Sequence, residues 1–437
     1  MKLNDPVVAD ETKIQVTEDA VPARSWYALS ILTMIYSCHF LDRTMISIIV
    51  EPVRAEFHLH DSQIGLLTGL AYGATFAIAG IPIGLLIDRT NRIKLLAILV
   101  TIWSGMTILS GVANSYIQLL LARMGVGASE AGGSPASLSL ISDLFPPSKR
   151  STAVGYFFLS NAIGATLSIV IGGFVTAQYG WRTAMLLAGV PGIILAAVLI
   201  LTVRHPKRGA TDTSGIPQEA AASPREVIHF IANNKAMLHL LAGIALITAA
   251  IATIGAWLPS FGMRFHGLSI KEAGIMAALA GGFFAAAGSV LGGMLSDKLG
   301  KSGARRRIDL CFFICFGILL LGCGGALIKH TSLAMGMFCF AMFIAFAIFP
   351  ASFGSMLSFT KPNMRGTTSA TMQVCTNLIG YGMGPFLVGI LSDFYGGDQS
   401  LRYAIATVIC ISCPWAAVHF ILSARACGKL QRAPLSQ

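Results

Sequence analysis

Charge is what this sequence has least of: 12% of its 437 residues are Asp, Glu, Lys or Arg, where a soluble globular chain carries roughly 25%. That shortage excludes a water-soluble fold. A Gly-x-x-x-x-Gly-Lys-[Ser/Thr] string is also missing, because Gly300, Lys301 and Ser302 have Leu295 rather than glycine five positions before Gly300. ATP hydrolysis is therefore unsupported, and work has to be drawn from a gradient or from none. Cys427 apart, the nine cysteines fall in apolar runs, and the Cys410-x-x-Cys413 pair has no ligands near it in sequence. They read as packed, reduced thiols, with no metal and no cofactor expected.

What the sequence does have is apolar length. Hydrophobic residues make up 54% and mean hydropathy is +0.71. Runs of this kind cover the 30 Å or so of a hydrocarbon core at about 1.5 Å per residue. Proline, glycine and charge punctuate them into expected spans at 26–50, 62–87, 94–113, 116–142, 151–177 and 183–203, then 237–260, 271–296, 308–328, 332–358, 366–392 and 402–424. The fold class this predicts is an all-α integral membrane protein of twelve helices in two six-helix bundles, 26–203 and 237–424. A cytoplasmic tail over 1–25, a cytoplasmic linker over 204–236 and a short tail over 425–437 complete the chain. Residues 1–25 hold Asp5, Asp10, Glu11, Glu18 and Asp19 and no apolar core, so they do not read as a signal or transit peptide.

The formal net charge of +11 invites a nucleic-acid reading, which the positions of the basic residues remove. Sorted by loop, 23 of the 31 Lys and Arg fall on the side of the termini and 6 on the other, while Arg43 and Arg123 lie inside spans. That asymmetry places both termini in the cytoplasm of a bacterial inner membrane, with the bilayer rather than nucleic acid as the partner.

The halves repeat. A shift of 209 residues carries Gly65, Leu70, Gly73, Gly84, Asp88 and Arg89 onto Gly274, Leu279, Gly282, Gly293, Asp297 and Lys298. Parallel repeats are a recurrent transporter design, with substrate held between them near the midplane.

Four ionisable residues lie at membrane depth: Asp42, Arg43, Arg123 and Glu130. Each costs about 2.5 to 3.5 kcal/mol on insertion scales, so they persist in cavities or pairs. Asp42 lies about 24 Å along its helix from Trp26, at a height similar to Arg123, and Glu130 lies about 10 Å beyond Arg123 on the same helix face. The expectation is that Arg123 pairs with whichever acid is ionised and is released on protonation; a permanent buried salt bridge that only orients helices is the alternative. His39, one turn from Arg43, reads as a relay or, more often for a lone histidine, as a structural residue.

GLLIDRTNR (Gly84 to Arg92) and GMLSDKLGK (Gly293 to Lys301) resemble the gating motif of the major facilitator superfamily, Gly-x-x-x-Asp-[Arg/Lys]-x-Gly-[Arg/Lys]. Asn91 replaces the second glycine in the first copy. The resemblance implies gating roles for Gly84, Asp88, Arg89, Arg92, Gly293, Asp297 and Lys298, with Arg150 and Arg365 as partners across the cytoplasmic seam. A narrower resemblance to spinster-like transporters rests on FLDRTMISIIVEPVRAEFHLHDSQIGLLTGLAYG and RMGVGASEAGGSPASLSLISDLFPP. It implies proton coupling through Asp42, Arg43, Arg123 and Glu130, and substrates such as lysolipids or sphingosine-1-phosphate. By analogy with the superfamily, the working unit is a monomer.

Spans 7, 10 and 11 carry no charge in their interiors, and span 10 offers Phe346, Phe349 and Phe353 at helical spacing. Gln373, Asn377, Tyr156 and Asn161 are further lining candidates. A wall of charge facing a wall of aromatics suits an amphiphilic anion. The rival substrate is a small polar anion such as a sugar acid, which the E-A-G-G-S-P run also suits. A membrane enzyme or sensor is a different class, for which neither nucleophile nor metal cluster is visible.

Overall fold

The structure, a computed structural model, describes residues 21–207, 223–361 and 364–432. Most of the expected N-terminal tail and the middle of the expected linker lie outside the described residues. The described part is helical: α1 (Ala23–Phe57), α2 (Asp61–Gly65), α3 (Ala71–Arg89), α4 (Arg92–Gly111), α5 (Tyr116–Glu130), α6 (Gly133–Leu144), α7 (Pro147–Phe157), α8 (Ser160–Ser168) and α9 (Thr176–Thr202) come first. They are followed by α10 (Pro224–Asn233), α11 (Lys235–His266), α12 (Ile270–Ala278), α13 (Ala285–Gly300), α14 (Ala304–Leu327), α15 (Thr331–Phe346), α16 (Ile348–Phe359), α17 (Arg365–Cys375), α18 (Gly384–Tyr395) and α19 (Ser400–Arg432).

Among the described residues, nine stretches are long and apolar enough to cross a membrane unaided, rather than the twelve expected. The difference has physical causes. Asp42 and Arg43 interrupt the apolar run of α1. The fourth expected span is divided at Ala131 and Gly132 into α5 and α6, each shorter than a crossing. Spans five and six run together through Gly180, whose φ of 83° is a left-handed bend that glycine accepts without steric cost.

The expected linker contains a helix, α10. Ser223 and Glu226 cap it reciprocally, and Val227 and Ile231 are buried, so a short amphipathic turn forms where composition suggested only polar chain. Asn91, the departure from the gating motif, is the N-cap of α4: its side-chain oxygen accepts the N–H groups of Ile93 and Lys94, both at 3.1 Å.

Side chains reveal repeats that the 209-residue register misses. A shift of 215 carries Arg92, Ser139 and Asp143 onto Arg307, Gly354 and Ser358. Arg92 ion-pairs with Asp143 and donates to the Ser139 carbonyl at 3.1 Å; Arg307 donates to the Gly354 carbonyl and to Ser358 Oγ, both at 3.3 Å. Trp181-Arg182-Thr183-Ala184 likewise mirrors Leu401-Arg402-Tyr403-Ala404. Arg182 donates to the Ala113 carbonyl just beyond α4, and Arg402 to the carbonyls of Ala326 and Leu327 at the end of α14, satisfying helix-end acceptors in both halves. Because Arg402 is buried, Arg402→Ala is expected to cost about 2 kcal/mol of stability. The check is thermal melting in detergent, where an unchanged Tm would show that those carbonyls need no cap.

Four helices contain π-helical turns: Leu66–Leu70, Ile169–Val175, Leu279–Phe284 and Thr376–Met383. These are the helices by which residues 61–202 face residues 270–395. Widened turns of this kind concentrate at functional positions. Contact across the seam is uneven along its length. At the end bearing the turns near residues 58–60, 267–269 and 396–399, the backbones touch: a methyl on Gly65 would sit 2.6 Å from the Pro385 carbonyl oxygen, and one on Gly73 2.6 Å from that of Asn377. Met45, Ile49 and Val53 share one continuous apolar core with Ile254, Trp257 and Phe261 there. At the opposite end, Leu29, Leu32 and Phe157 belong to a separate core confined to the first half. Among the described residues, nothing approaches within 4 Å of a methyl placed on Gly84, Gly155 or Gly366. The halves are therefore joined at one end and parted at the other.

Candidate functional site

Beside the seam, α1 presents His39, Asp42 and Arg43, α3 presents Tyr72, α4 presents Thr107, and α5 presents Arg123 and Glu130. Burial of ionisable groups is near complete: Asp42 and Glu130 are each 1% exposed and Arg123 2%. The four residues picked out in the sequence do converge, but with different partners from those expected. No N···O approach within 4 Å joins Arg123 to either acid among the described ion pairs. Tyr72 OH donates to Glu130 Oε2 at 2.7 Å, and His39 Nδ1 lies 2.9 Å from the same oxygen, off the line of a good hydrogen bond. Thr107 Oγ1 donates to Asp42 Oδ2 at 3.1 Å. Each acid is thus held on one oxygen, while Glu130 Oε1 and Asp42 Oδ1 are buried without a hydrogen bond.

Aromatic packing fixes the histidine. Its ring stacks on Tyr36 at 4.8 Å, and Tyr36 stacks on Phe157 at 4.8 Å. His39 is thereby held with its Nδ1 2.9 Å from Glu130 Oε2.

The two guanidinium groups flank Tyr72, Arg43 with its carbon 5.6 Å and Arg123 with its carbon 5.8 Å from the ring centre. Arg43 also lies over the ring of Tyr381 at 3.8 Å, a cation–π contact that crosses the seam. Nη2 of Arg43 and Nε and Nη1 of Arg123 are buried without a hydrogen bond. Buried donors and buried carboxylate oxygens left without hydrogen bonds make a site able to take an anion or to exchange a proton; buried cations without a paired acid are otherwise costly.

The lining candidates scatter. Tyr156, 39% exposed, has its hydroxyl 3.4 Å from Ser30 Oγ and its ring edge-on to Trp26, nearer the parted end than the acids are. Asn161 Oδ1 is buried without a partner. Asn377 donates to the Gln373 carbonyl at 2.9 Å, leaving the Gln373 side chain exposed. Phe346 and Phe349 meet edge-on at 5.4 Å and are half-buried, whereas Phe353 is 44% exposed.

Among the described residues, the contacts of the gating candidates Arg92 and Asp297 lie within their own halves. Asp297 is exposed and approaches only Arg307 of its own half, at 4.0 Å. Arg150 Nε donates to the carbonyls of Ser142 and Phe145 at 3.0 and 3.1 Å. Arg92, expected at the gate, is buried in its pair with Asp143. Arg89, Lys298 and Arg365 are exposed, a methyl placed on Gly293 would lie 3.8 Å from Pro350, and the side chain of Asp88 lies outside the described residues.

Helices long enough to cross a bilayer, joined at one end of a seam and enclosing buried acids and guanidinium groups beside it, have the build of a membrane transporter. The chain belongs to the major facilitator superfamily, whose family profile, described as Major Facilitator Superfamily, matches residues 32–385. It is 28% identical over 397 residues to an "MFS-type efflux pump" of Mycolicibacterium smegmatis, covering 89% of this chain and 90% of that protein. It is also 28% identical over 356 residues to the "Probable galactarate/D-glucarate transporter GudP" of Bacillus subtilis, covering 76% of each. In structure it is similar to a bacterial homologue of the human lysosomal transporter Spinster, described as inward-facing and unoccupied. The TM-score is 0.83 and identity 27%, over 95% of this chain and all of that one.

Proposed function

We propose that this protein is a proton-coupled secondary transporter of an organic anion with an apolar body, lysolipid-like in character, working by alternating access between bundles 26–203 and 237–424. The observation that carries this reading is Arg43: a guanidinium against Tyr381 and Tyr72, with a buried nitrogen left without a hydrogen bond, beside the Glu130, His39 and Tyr72 group. Such a cation binds the anionic head of a substrate, while Phe346, Phe349 and Phe353 offer the apolar surface its tail needs. Proton arrival at Glu130 changes the charge next to Arg123 and Tyr72 and so biases the two bundles. With both termini cytoplasmic, as the loop charges favour, the parted end faces the cytoplasm and the state described is inward-open. The protein then works in a bacterial inner membrane as a single chain.

A second reading, import of a sugar acid, draws on the likeness to the galactarate/D-glucarate protein and on the same Arg43. Thermal-shift measurements with lysophospholipids and with sugar acids separate the two. Lysophospholipids are expected to raise Tm in wild type and not in Arg43→Ala. Stabilisation by galactarate or glucarate alone would transfer the proposal to sugar acids, and stabilisation by neither class would overturn it.

A further inference from the structure

Gly389-Ile390-Leu391-Ser392-Asp393 has the Gly-x-x-x-Asp spacing of Gly84–Asp88 and Gly293–Asp297, but it lies at the joined end of the seam instead of the parted one. Its geometry is that of an engaged gate. A methyl on Gly389 would collide with the backbone carbonyl of Asp61, so the glycine admits the opposing helix. Asp393 spans the start of α2: Oδ1 accepts the Asp61 N–H and Oδ2 the Ser62 N–H, both at 2.9 Å. Ser392 Oγ donates to Asp61 Oδ2 at 2.6 Å.

Arg264 of α11 completes the crossing. Its Nε donates to Glu51 Oε1 at 2.9 Å and its Nη1 to Asp61 Oδ2 at 2.9 Å. Arg54 Nε lies 3.4 Å from Asp61 Oδ1. Glu51, Arg54 and Asp61 belong to the first half and Arg264, Ser392 and Asp393 to the second, so every one of these contacts except Arg54 to Asp61 joins the halves. Asp61 is 5% exposed and the Arg264 side chain 18%, which limits screening by water. The other flank of the seam is built differently. A shift of 216 puts Gly173, Ala177 and Gly180 on Gly389, Asp393 and Gly396, so alanine stands where the capping acid would be. There the described contacts are backbone packing of Gly173 against Gly274 and Lys271 5.4 Å from the Phe174 ring centre.

We propose that Gly389–Asp393 is a third gating string, and that Asp393 on the α2 N-terminus together with Arg264 between Glu51 and Asp61 is the lock that holds this end shut. The lock is one-sided: releasing it frees the flank formed by α2 and α18, while the flank formed by α12 and the Ile169–Val175 turn slides on glycine. The inference rests on the alternating-access reading, yet its test needs neither substrate nor gradient, so the two fail separately.

The test is hydrogen–deuterium exchange of the full chain in nanodiscs, comparing wild type with Arg264→Gln and with Asp393→Ala. Loss of a buried charge-pair partner is expected to speed exchange of peptides covering 58–70 and 384–396 about tenfold. Exchange of peptides covering 84–92 and 293–301 is expected to slow at the same time, because rocking shut at one end accompanies opening at the other. Local damage alone would raise the first pair and leave the second unchanged or faster, and that result overturns the proposal, as does no change at either end. The charge-keeping variant Arg264→Lys is expected to fall between wild type and Arg264→Gln at both pairs; exchange equal to that of Arg264→Gln would reject the charge between Glu51 and Asp61 as part of the lock.

Discussion

Glu130→Gln is expected to lower proton-driven transport about a hundredfold, within the range a positioned proton-transfer group contributes, while gradient-independent exchange of substrate persists. Glutamine keeps the oxygen that accepts from Tyr72 OH at 2.7 Å, so the packing around α3 and α5 survives. What it loses is the second protonation state. In the proposed mechanism the carboxyl serves in two forms, an anion that draws on the Tyr72 hydroxyl, the His39 ring nitrogen 2.9 Å away and the field of two guanidinium groups, and a neutral acid that does not. The proposal assigns coupling of proton flow to rocking of the halves to that alternation. The measurement is uptake into proteoliposomes with and without a pH gradient, together with homo-exchange at equal pH. Equal loss of driven uptake and exchange, with a lowered Tm, would assign Glu130 a static orienting role. Undiminished driven uptake would remove it from coupling altogether.

Which residues meet at this site was legible in the sequence; which of them touch was not. Asp42, Arg43, Arg123 and Glu130 announce themselves because a charge in an apolar run has few reasons to be there, and helical rise alone places them at compatible depths. In place of the contact expected for Arg123, the described hydrogen bonds to these acids come from Tyr72 and Thr107, one oxygen of each acid being used. A tyrosine and a threonine in apolar helices carry no sequence signal of a partner on another helix. Likewise Tyr381, the cation–π partner of Arg43, comes from the second half, and no local pattern links residues 338 positions apart.

The lock at the joined end was missed for a different reason. Apolarity suggests that the first and seventh spans end near residues 50 and 260, so Glu51 and Arg264 read as loop anchors. In the structure α1 continues to Phe57 and α11 to His266, helical through those charges because each finds an opposite charge across the seam. Hydropathy marks where a chain leaves the hydrocarbon, not where its helix stops. The π-helical turns were equally invisible, since a widened turn leaves composition unchanged. The gating strings show the converse: both copies were readable as motifs, while Asp297 of the second approaches Arg307 of its own half at 4.0 Å.

Glycines on the two ends of the seam should therefore act in opposite directions, and Gly73→Val against Gly84→Val is the sharpest comparison. At Gly73 a methyl already falls 2.6 Å from the Asn377 carbonyl oxygen and 2.9 Å from Gly382 Cα, both backbone atoms that cannot swing away. Valine there excludes the joined arrangement, and forcing the overlap costs several times the roughly 1.4 kcal/mol that separates populations tenfold. Net transport is expected to fall to background, because a carrier that cannot visit one of its two states completes no cycle. At Gly84 a methyl meets nothing within 4 Å, so the same substitution leaves the described state intact and instead obstructs closure of the parted end. Both variants stop transport, yet in opposite conformations. Spin labels introduced through a non-natural amino acid at the exposed positions Asn114 and Lys329, on opposite halves at the joined end, separate them by distance measurement. Gly73→Val is expected to lengthen that distance relative to wild type and Gly84→Val to hold it at the short value. A short distance in both would mean that the seam yields around a valine and that backbone contact at Gly73 does not govern which end is open.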